Sequence, residues 1–179
     1  MGALLAGAIG LAVTAGPAAA GAISTNTWYT FSFGSTGSPL AAGNSVPSNP
    51  AGFTLDAAPW TFSLTGPAEL RVTDLQMSGD FFTLYDNLVL LGTTDTGTPG
   101  ASSGCGSDIG CALADPNYGK GIFALGAGSH SLTGVFNGVI EFGDGALIVR
   151  EVPEPLTLSL FGAGLAGAVA MRRRKNKSA

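Results

Sequence analysis

Positive charge is scarce in this chain, and most of it sits at one end. Of eight Lys and Arg in 179 residues, only Arg71, Lys120 and Arg150 precede Met171. Against eleven Asp and Glu they leave residues 21–151 with a formal charge of −8, which the whole-chain value of −4 conceals. Phosphate binding needs a basic patch, so nucleic acid and anionic lipid are excluded as partners of this segment. Cations and neutral polymers remain compatible with it, and acidity also serves solubility alone. Histidine occurs once, at His130, and cysteine twice, at Cys105 and Cys111. That is too few soft ligands for a thiolate and imidazole metal site. No amphipathic helix of useful length appears either, and no strand–helix–strand unit.

What the segment has instead is a period of two. Trp28-Tyr29-Thr30-Phe31-Ser32-Phe33 alternates, as do Trp60-Thr61-Phe62-Ser63-Leu64 and Leu70-Arg71-Val72-Thr73. Further short strands are expected at Phe81–Tyr85, Leu88–Leu91, Gly121–Leu125, Ser131–Phe136 and Ala146–Arg150, with Gly-Pro, Asp-Asn and Gly-rich turns between them. This pattern predicts an all-β ectodomain over residues 21–151, an antiparallel β-sandwich of jelly-roll-like form. Ser35–Gly52 and Thr93–Tyr118 read as long loops, and loops of that length are usually functional or disordered. Cys105 and Cys111 enclose five residues, and an oxidising compartment would join them as a disulfide bracing the second loop.

Both ends carry sorting features. Ala3 to Ala15 is almost wholly apolar, and Gly16-Pro17-Ala18-Ala19-Ala20 ends in a small-residue cleavage pattern, so residues 1–20 are expected to be a signal peptide. No Lys or Arg precedes the apolar run; a start codon placed too far downstream would explain that, and an uncleaved membrane helix is the alternative. At the other end stand Val152-Pro153-Glu154-Pro155, an uncharged stretch from Leu156 to Met171, and Arg172-Arg173-Arg174-Lys175-Asn176-Lys177. Pro153 and Pro155 each fix φ and remove a backbone donor, so no helix or central strand runs through them. A helix over residues 156–171 would rise about 24 Å, enough to cross a roughly 30 Å hydrocarbon core only with thinning and with Arg172 snorkelling. The basic residues after it place the C-terminus in the cytoplasm and residues 21–151 outside.

Val152-Pro153-Glu154-Pro155, the Gly162-Ala163-Gly164-Leu165-Ala166-Gly167 run and Arg172-Arg173-Arg174 together resemble a PEP-CTERM sorting domain over residues 152–175. The resemblance implies a Gram-negative bacterium that makes exopolysaccharide. It also implies an exosortase, a membrane transpeptidase that recognises Pro153-Glu154-Pro155 and processes the tail, with Arg172, Arg173, Arg174 and Lys175 as the anchor. It carries sorting and no activity. A second stretch, Asp80-Phe81-Phe82-Thr83-Leu84-Tyr85-Asp86-Asn87 followed by Leu91-Gly92-Thr93-Thr94, is similar to a D-x-F-x-V-Y-D-N-G-x-x-L-G-x-T pattern of secreted β-sandwich proteins. Leu88 stands where that pattern has Gly, which argues against a tight Asn-Gly hairpin here.

Apparent chemical motifs weigh less. Gly100-Ala101-Ser102-Ser103-Gly104 matches G-x-S-x-G, and Asp108 or Asp115 and His130 follow in hydrolase order. That pattern works only on a strand-to-helix elbow, which this Gly- and Ser-rich loop lacks. The Gly162–Gly167 run matches a dinucleotide fingerprint without a preceding strand, and reads better as small residues in a membrane helix. His130 is expected in a surface turn. Asp80, Asp86, Asn87, Asp108, Asp115 and Asn117 are oxygen donors near loops that could meet calcium, but turn-making is the stronger reading and EF-hand spacing is absent. Trp28, Tyr29 and Trp60 could stack on sugar faces, with core packing the stronger reading. No catalytic residue, cofactor or metal set is expected. The favoured function is a non-enzymatic, exported surface or matrix protein, associated with exopolysaccharide and biofilm; the alternative is a secreted hydrolase of extracellular polysaccharide, which would need a carboxylate pair.

Overall fold

The computed structural model describes residues 21–42, 53–54, 58–139 and 142–152. Among these, the order is β1 (Gly21–Ala22), β2 (Trp28–Phe33), β3 (Ala41–Ala42), β4 (Phe53–Thr54), β5 (Trp60–Leu64), β6 (Ala68–Asp74), β7 (Phe82–Asp86), β8 (Val89–Thr93), α1 (Ile109–Ala114), β9 (Lys120–Leu125), β10 (Gly128–Phe136) and β11 (Gly143–Glu151). One sheet runs β1-β5-β10-β7-β8; the other runs β3-β2-β11-β6-β9, with β4 also on β2. The pairings are antiparallel except for two short ones, β1 with β5 and β2 with β4. The two sheets close on each other as a β-sandwich.

Alternation explains why these segments pair. Phe31 and Phe33, Trp60, Phe62 and Leu64, Leu70 and Val72, and Leu147 and Val149 all point into one core. Phe31 meets Phe82 edge-on at 5.1 Å, and Phe33 stacks on Phe136 at 4.3 Å. Burying each such side chain contributes about 1.5–3 kcal/mol. Trp60 is fully enclosed and Tyr29 packs against the core, while Trp28 packs on a second cluster. Neither Trp60 nor its neighbours therefore form a sugar-stacking platform; the aromatics were drawn inward by the same alternation that made the strands.

That second cluster corrects the expectation of a long open loop over residues 93–118. The segment folds over the outer face of the β2-β11-β6 sheet and encloses Leu75, Ile109, Ala112, Tyr118 and Ala146. It includes the six-residue helix α1, whose N-cap Asp108 accepts from the Cys111 backbone N–H at 3.0 Å. Cys105 and Cys111 are joined as a disulfide, with Cα atoms 5.4 Å apart. Ser35–Gly52 is likewise not all loop: Leu40 is buried in the main core, its N–H donating to Gly134 O, and β3 follows it.

The hairpin between β7 and β8 is a second correction. Asp86 pairs with Val89, so Asn87 and Leu88 alone make the turn, with φ of 49° and 67°. The two-residue turn forms although Leu stands where Gly would relieve it. Asp86 and Asn87 hold it against β10: Ser131 N donates to Asp86 Oδ1, Asn87 Nδ2 to Ser129 O, and Asn87 N to Ser131 O.

Among the described residues no helix is long and apolar enough to cross a membrane. The signal peptide (1–20), Pro153–Pro155, the apolar stretch 156–171 and Arg172, Arg173, Arg174 and Lys175 lie outside the described residues.

Candidate functional site

A hollow lies at the end of the sandwich where β6 gives way to residues 75–80 and where β11 begins. It encloses about 650 Å³ and is lined by Gln76, Met77, Asp80, Ser103, Ser107 and Phe142, among others. A second lobe of about 530 Å³ shares Gln76, Phe142 and Gly143 and reaches Asp144.

Gln76 and Phe142 divide the lobes, and both hold left-handed backbone, at φ 63° and 64°. For a non-glycine residue such a conformation costs of order 1–2 kcal/mol and persists only where neighbours fix it. Gln76 is fixed on both sides: its N–H donates to Gly106 O at 2.7 Å, and its carbonyl accepts from the Tyr118 hydroxyl at 2.8 Å. Its side-chain amide donates to Asp144 Oδ2. Phe142 is tied by its N–H to Gly34 O, yet the residue is 74% exposed. An exposed aromatic face beside amide, hydroxyl and carboxylate groups is what a polar, partly apolar ligand such as a sugar ring would meet.

Three aspartates lie beneath this surface. Asp74, Asp80 and Asp144 are 0%, 1% and 4% exposed. Asp74 faces the core end of β6, and Asp144 faces the outer cover. Asp80 N donates to Asp74 Oδ2 at 3.2 Å. Burial, reinforced by the Asp80 charge, pushes the Asp74 carboxyl up to about 9. Burial also raises Asp144 from its ordinary value. Asp74 Oδ1 and Asp144 Oδ1 are enclosed and have no hydrogen-bond partner among the described residues. Among those residues no group of three or more His, Cys, Asp and Glu is placed to hold a metal ion.

The remaining sequence candidates scatter. His130 is not a surface turn residue; it lies buried in β10, stacked on Phe62 at 4.9 Å. Its Nδ1 meets Asp86 Oδ2 at 2.7 Å and its Nε2 meets Gly126 O at 3.0 Å. The polar strand position between Ser129 and Ser131 gave no hint that its neighbours across the sheet, Phe62 and Asp86, would cover it. Asp108 caps α1, and Asp115 closes a turn by accepting from Asn117 N at 2.9 Å. That bond above all holds Asp115 below its ordinary carboxylate value. Ser102 donates its N–H to Ser78 Oγ and lies by Asp115, while His130 is committed to Asp86 in the other sheet. The G-x-S-x-G loop therefore assembles no triad. Gln76 and Phe142 escaped the sequence reading, because neither belongs to an alternating run.

β11 starts at the hollow and, at about 3.3 Å per residue, ends about 26 Å away at Glu151. Val152 N still donates to Pro67 O at 3.0 Å. The hollow is thus at the end of the domain opposite the exit of the chain.

Comparison with known proteins bears on that exit. Residues 151–175 match the PEP-CTERM protein-sorting motif. Such a motif implies an exported protein that is processed at the membrane by an exosortase. No curated protein matches the chain. Among solved structures, the pre-peptidase C-terminal domain of a collagenase from Bacillus anthracis is similar over 75% of this chain and 97% of that one, at 14% identity and a TM-score of 0.41.

Proposed function

We propose that the protein is a non-enzymatic surface or extracellular-matrix component that an exosortase sorts, and that it associates with exopolysaccharide in a biofilm. In this reading residues 1–20 direct export, a helix over 156–171 holds the precursor in the inner membrane of a Gram-negative cell, and processing at Val152, Pro153, Glu154 and Pro155 releases a jelly-roll-like sandwich. The observation that carries it is the sorting motif, which begins at Glu151, the last residue of β11. The address label follows the folded domain with no linker between them. While the precursor is anchored, the hollow around Phe142 and Gln76 faces away from the bilayer, toward surrounding polymer.

The alternative of a secreted hydrolase finds less support. Asp80 and Asp144 reach the hollow, but as side chains almost wholly enclosed, and Asp144 is engaged by Gln76. A general acid must come within hydrogen-bond reach of the glycosidic oxygen. Enclosed carboxylates in separate lobes suit that role poorly.

The test is made in the native host, by comparing wild type, Pro153→Ala/Glu154→Ala and a chain truncated after Glu151. The double variant is expected to remain as the unprocessed precursor mass with loss of surface yield, while the sandwich still folds. Processing and display of the double variant at the wild-type level would refute the sorting role of these residues.

A further inference from the structure

We propose that the tip of the β7–β8 hairpin, Leu88, Val89 and Leu90, is a lipid-docking surface that seats the anchored precursor on the outer face of the inner membrane. The proposal rests on the reading that residues 156–171 hold the precursor in that membrane. Leu88, Val89 and Leu90 are 88%, 70% and 60% exposed. Side chains on a strand change sides at each step, so Val89 and Leu90 face opposite ways and neither face of the hairpin end is covered. β8 is also the last strand of its sheet, with no strand beyond it among the described residues. Contiguous apolar exposure of this kind marks a contact with protein or with membrane.

Position decides between the two. Glu151, the last residue of β11, pairs with Ala68, and Ala68 pairs with Leu125. The turns that follow Leu64 and Leu125 lie at this end, and Leu64 and Gly128 pair beside them in the other sheet. Asn87 N donates to Ser131 O and Asn87 Nδ2 to Ser129 O, so the hairpin ends beside the first residues of β10. The apolar tip therefore lies at the end of the sandwich from which the chain leaves. Val152 and Leu156 are four chain steps apart, at most about 14 Å. With Leu156 in the bilayer, the exit of the domain stays within that distance of lipid. Val139 and Phe142 are exposed apolar residues too, but at the hollow, and the length of the domain keeps them away from lipid.

Charge is distributed in the same sense. The turns at the exit end, residues 24–27, 65–67, 87–88 and 126–127, contain no charged residue. The acids near it are Glu69, paired with Arg71, Asp86, paired with His130, and Glu151, next to Arg150. Asp74, Asp80, Asp95 and Asp144 lie toward the hollow end. An acidic domain thus turns its uncharged end to the membrane, whose surface is negative. Apolar side chains at a surface sink about 5–10 Å, to the boundary of headgroups and acyl chains. That contact is with acyl chains and not with phosphate, so it needs no basic patch. The Asn87 backbone and side-chain donors are already bonded to β10, which lowers the cost of bringing the turn out of water. Seating the domain in this way would hold Pro153, Glu154 and Pro155 at the level of the interface, where a membrane enzyme meets them.

The test uses the full chain reconstituted in phosphatidylcholine vesicles, with a fluorophore on Ala127→Cys, in the turn next to the hairpin, or on Val139→Cys at the far end. Cys105 and Cys111 are joined to each other and take no label. A nitroxide on the lipid acyl chains is expected to quench the probe at 127 and spare the probe at 139. Leu88→Asn/Val89→Thr/Leu90→Thr should lose most of that quenching while still floating with the vesicles. Asn accepts the left-handed backbone at 88 and Thr suits a strand, so the variant should melt near its parent; should it melt early, Leu88→Asn alone reads the same loss. A chain that floats but whose probe at 127 escapes quenching overturns the docking and leaves the anchoring intact, as does quenching that survives in the triple variant. A blue-shifted probe at 127 that the lipid nitroxide spares would mean that the hairpin meets a second copy of the chain, and overturns it as well. A chain that fails to float overturns the anchoring reading, and the docking with it.

Discussion

Replacing Leu88 by glycine should stabilise this protein, although the change deletes a large apolar side chain. Leu88 is the second residue of the β7–β8 turn, at φ 67°, and is 88% exposed. An L-residue in left-handed backbone costs about 1–2 kcal/mol relative to its favoured conformations. Glycine escapes that cost but returns roughly 0.5–1 kcal/mol as extra entropy in the unfolded chain. Because so little of Leu88 is buried, its lost packing is only a few tenths of a kcal/mol on a scale of about 1.5–3 kcal/mol for full burial. Leu88→Ala isolates the backbone effect, since alanine loses the same side chain and keeps the strain. The diagnostic difference is therefore Leu88→Gly against Leu88→Ala, about 0.5–1 kcal/mol in favour of glycine, or about 2–4 °C in Tm for a domain of this size. Asn87 stays in place, so the glycine variant presents the Asn-Gly pair favoured in two-residue hairpins. Thermal and urea denaturation of the three proteins side by side measure it. If the glycine variant is no more stable than the alanine variant, the strain assigned to this turn is absent and the reasoning fails.

Two further outcomes follow from the outer cover and the buried carboxylates. Cys111→Ser should reduce stability by about 2 kcal/mol, the chain-entropy value for so small a loop, and raise hydrogen exchange across residues 95–118 while the sandwich core stays protected; protection lost equally in β2 and β10 would show that the cover is not a separate unit. For Asp144 the sign runs toward loss at higher pH: burial lifts its folded pKa above the ordinary 3.8, so the folded state keeps a proton that the unfolded chain has released. Stability therefore falls as pH rises from about that value through the folded pKa and then levels off, and Asp144→Asn should remove that fall. Urea midpoints of both proteins across mildly acidic pH check it, and a wild-type-to-variant difference that ignores pH would contradict it.

Local pattern decided much of this molecule. The alternation of Trp28–Phe33 and Trp60–Leu64 gave two strands to the residue, since side chains on an extended backbone change sides at every step whatever lies opposite. The same rule located β6, β7, β9, β10 and β11 within a few residues. The sorting tail was legible for a similar reason: two prolines, an uncharged run and a basic cluster act through their own chemistry, without a partner from elsewhere in the chain. Cys105 and Cys111 were legible because they lie close together in sequence.

Only the tertiary structure decided the rest. His130 and Asp86 are 44 residues apart, and nothing in either neighbourhood announces the pair. α1 was missed because six residues form a helix only where Asp108 caps them and a sheet face receives Ile109 and Ala112. Asp74, just past the alternating Leu70–Thr73 run, was not singled out by the sequence at all, and Asp80 read as a motif position near a loop. Their burial follows from the facing of two sheets, which the sequence expresses only through long-range pairing. Phe142 stands exposed beside Gln76 for the same reason. Alternation tells a chain which residues turn inward, but which of them meet is settled by sheet order, and the candidate site consists of such meetings.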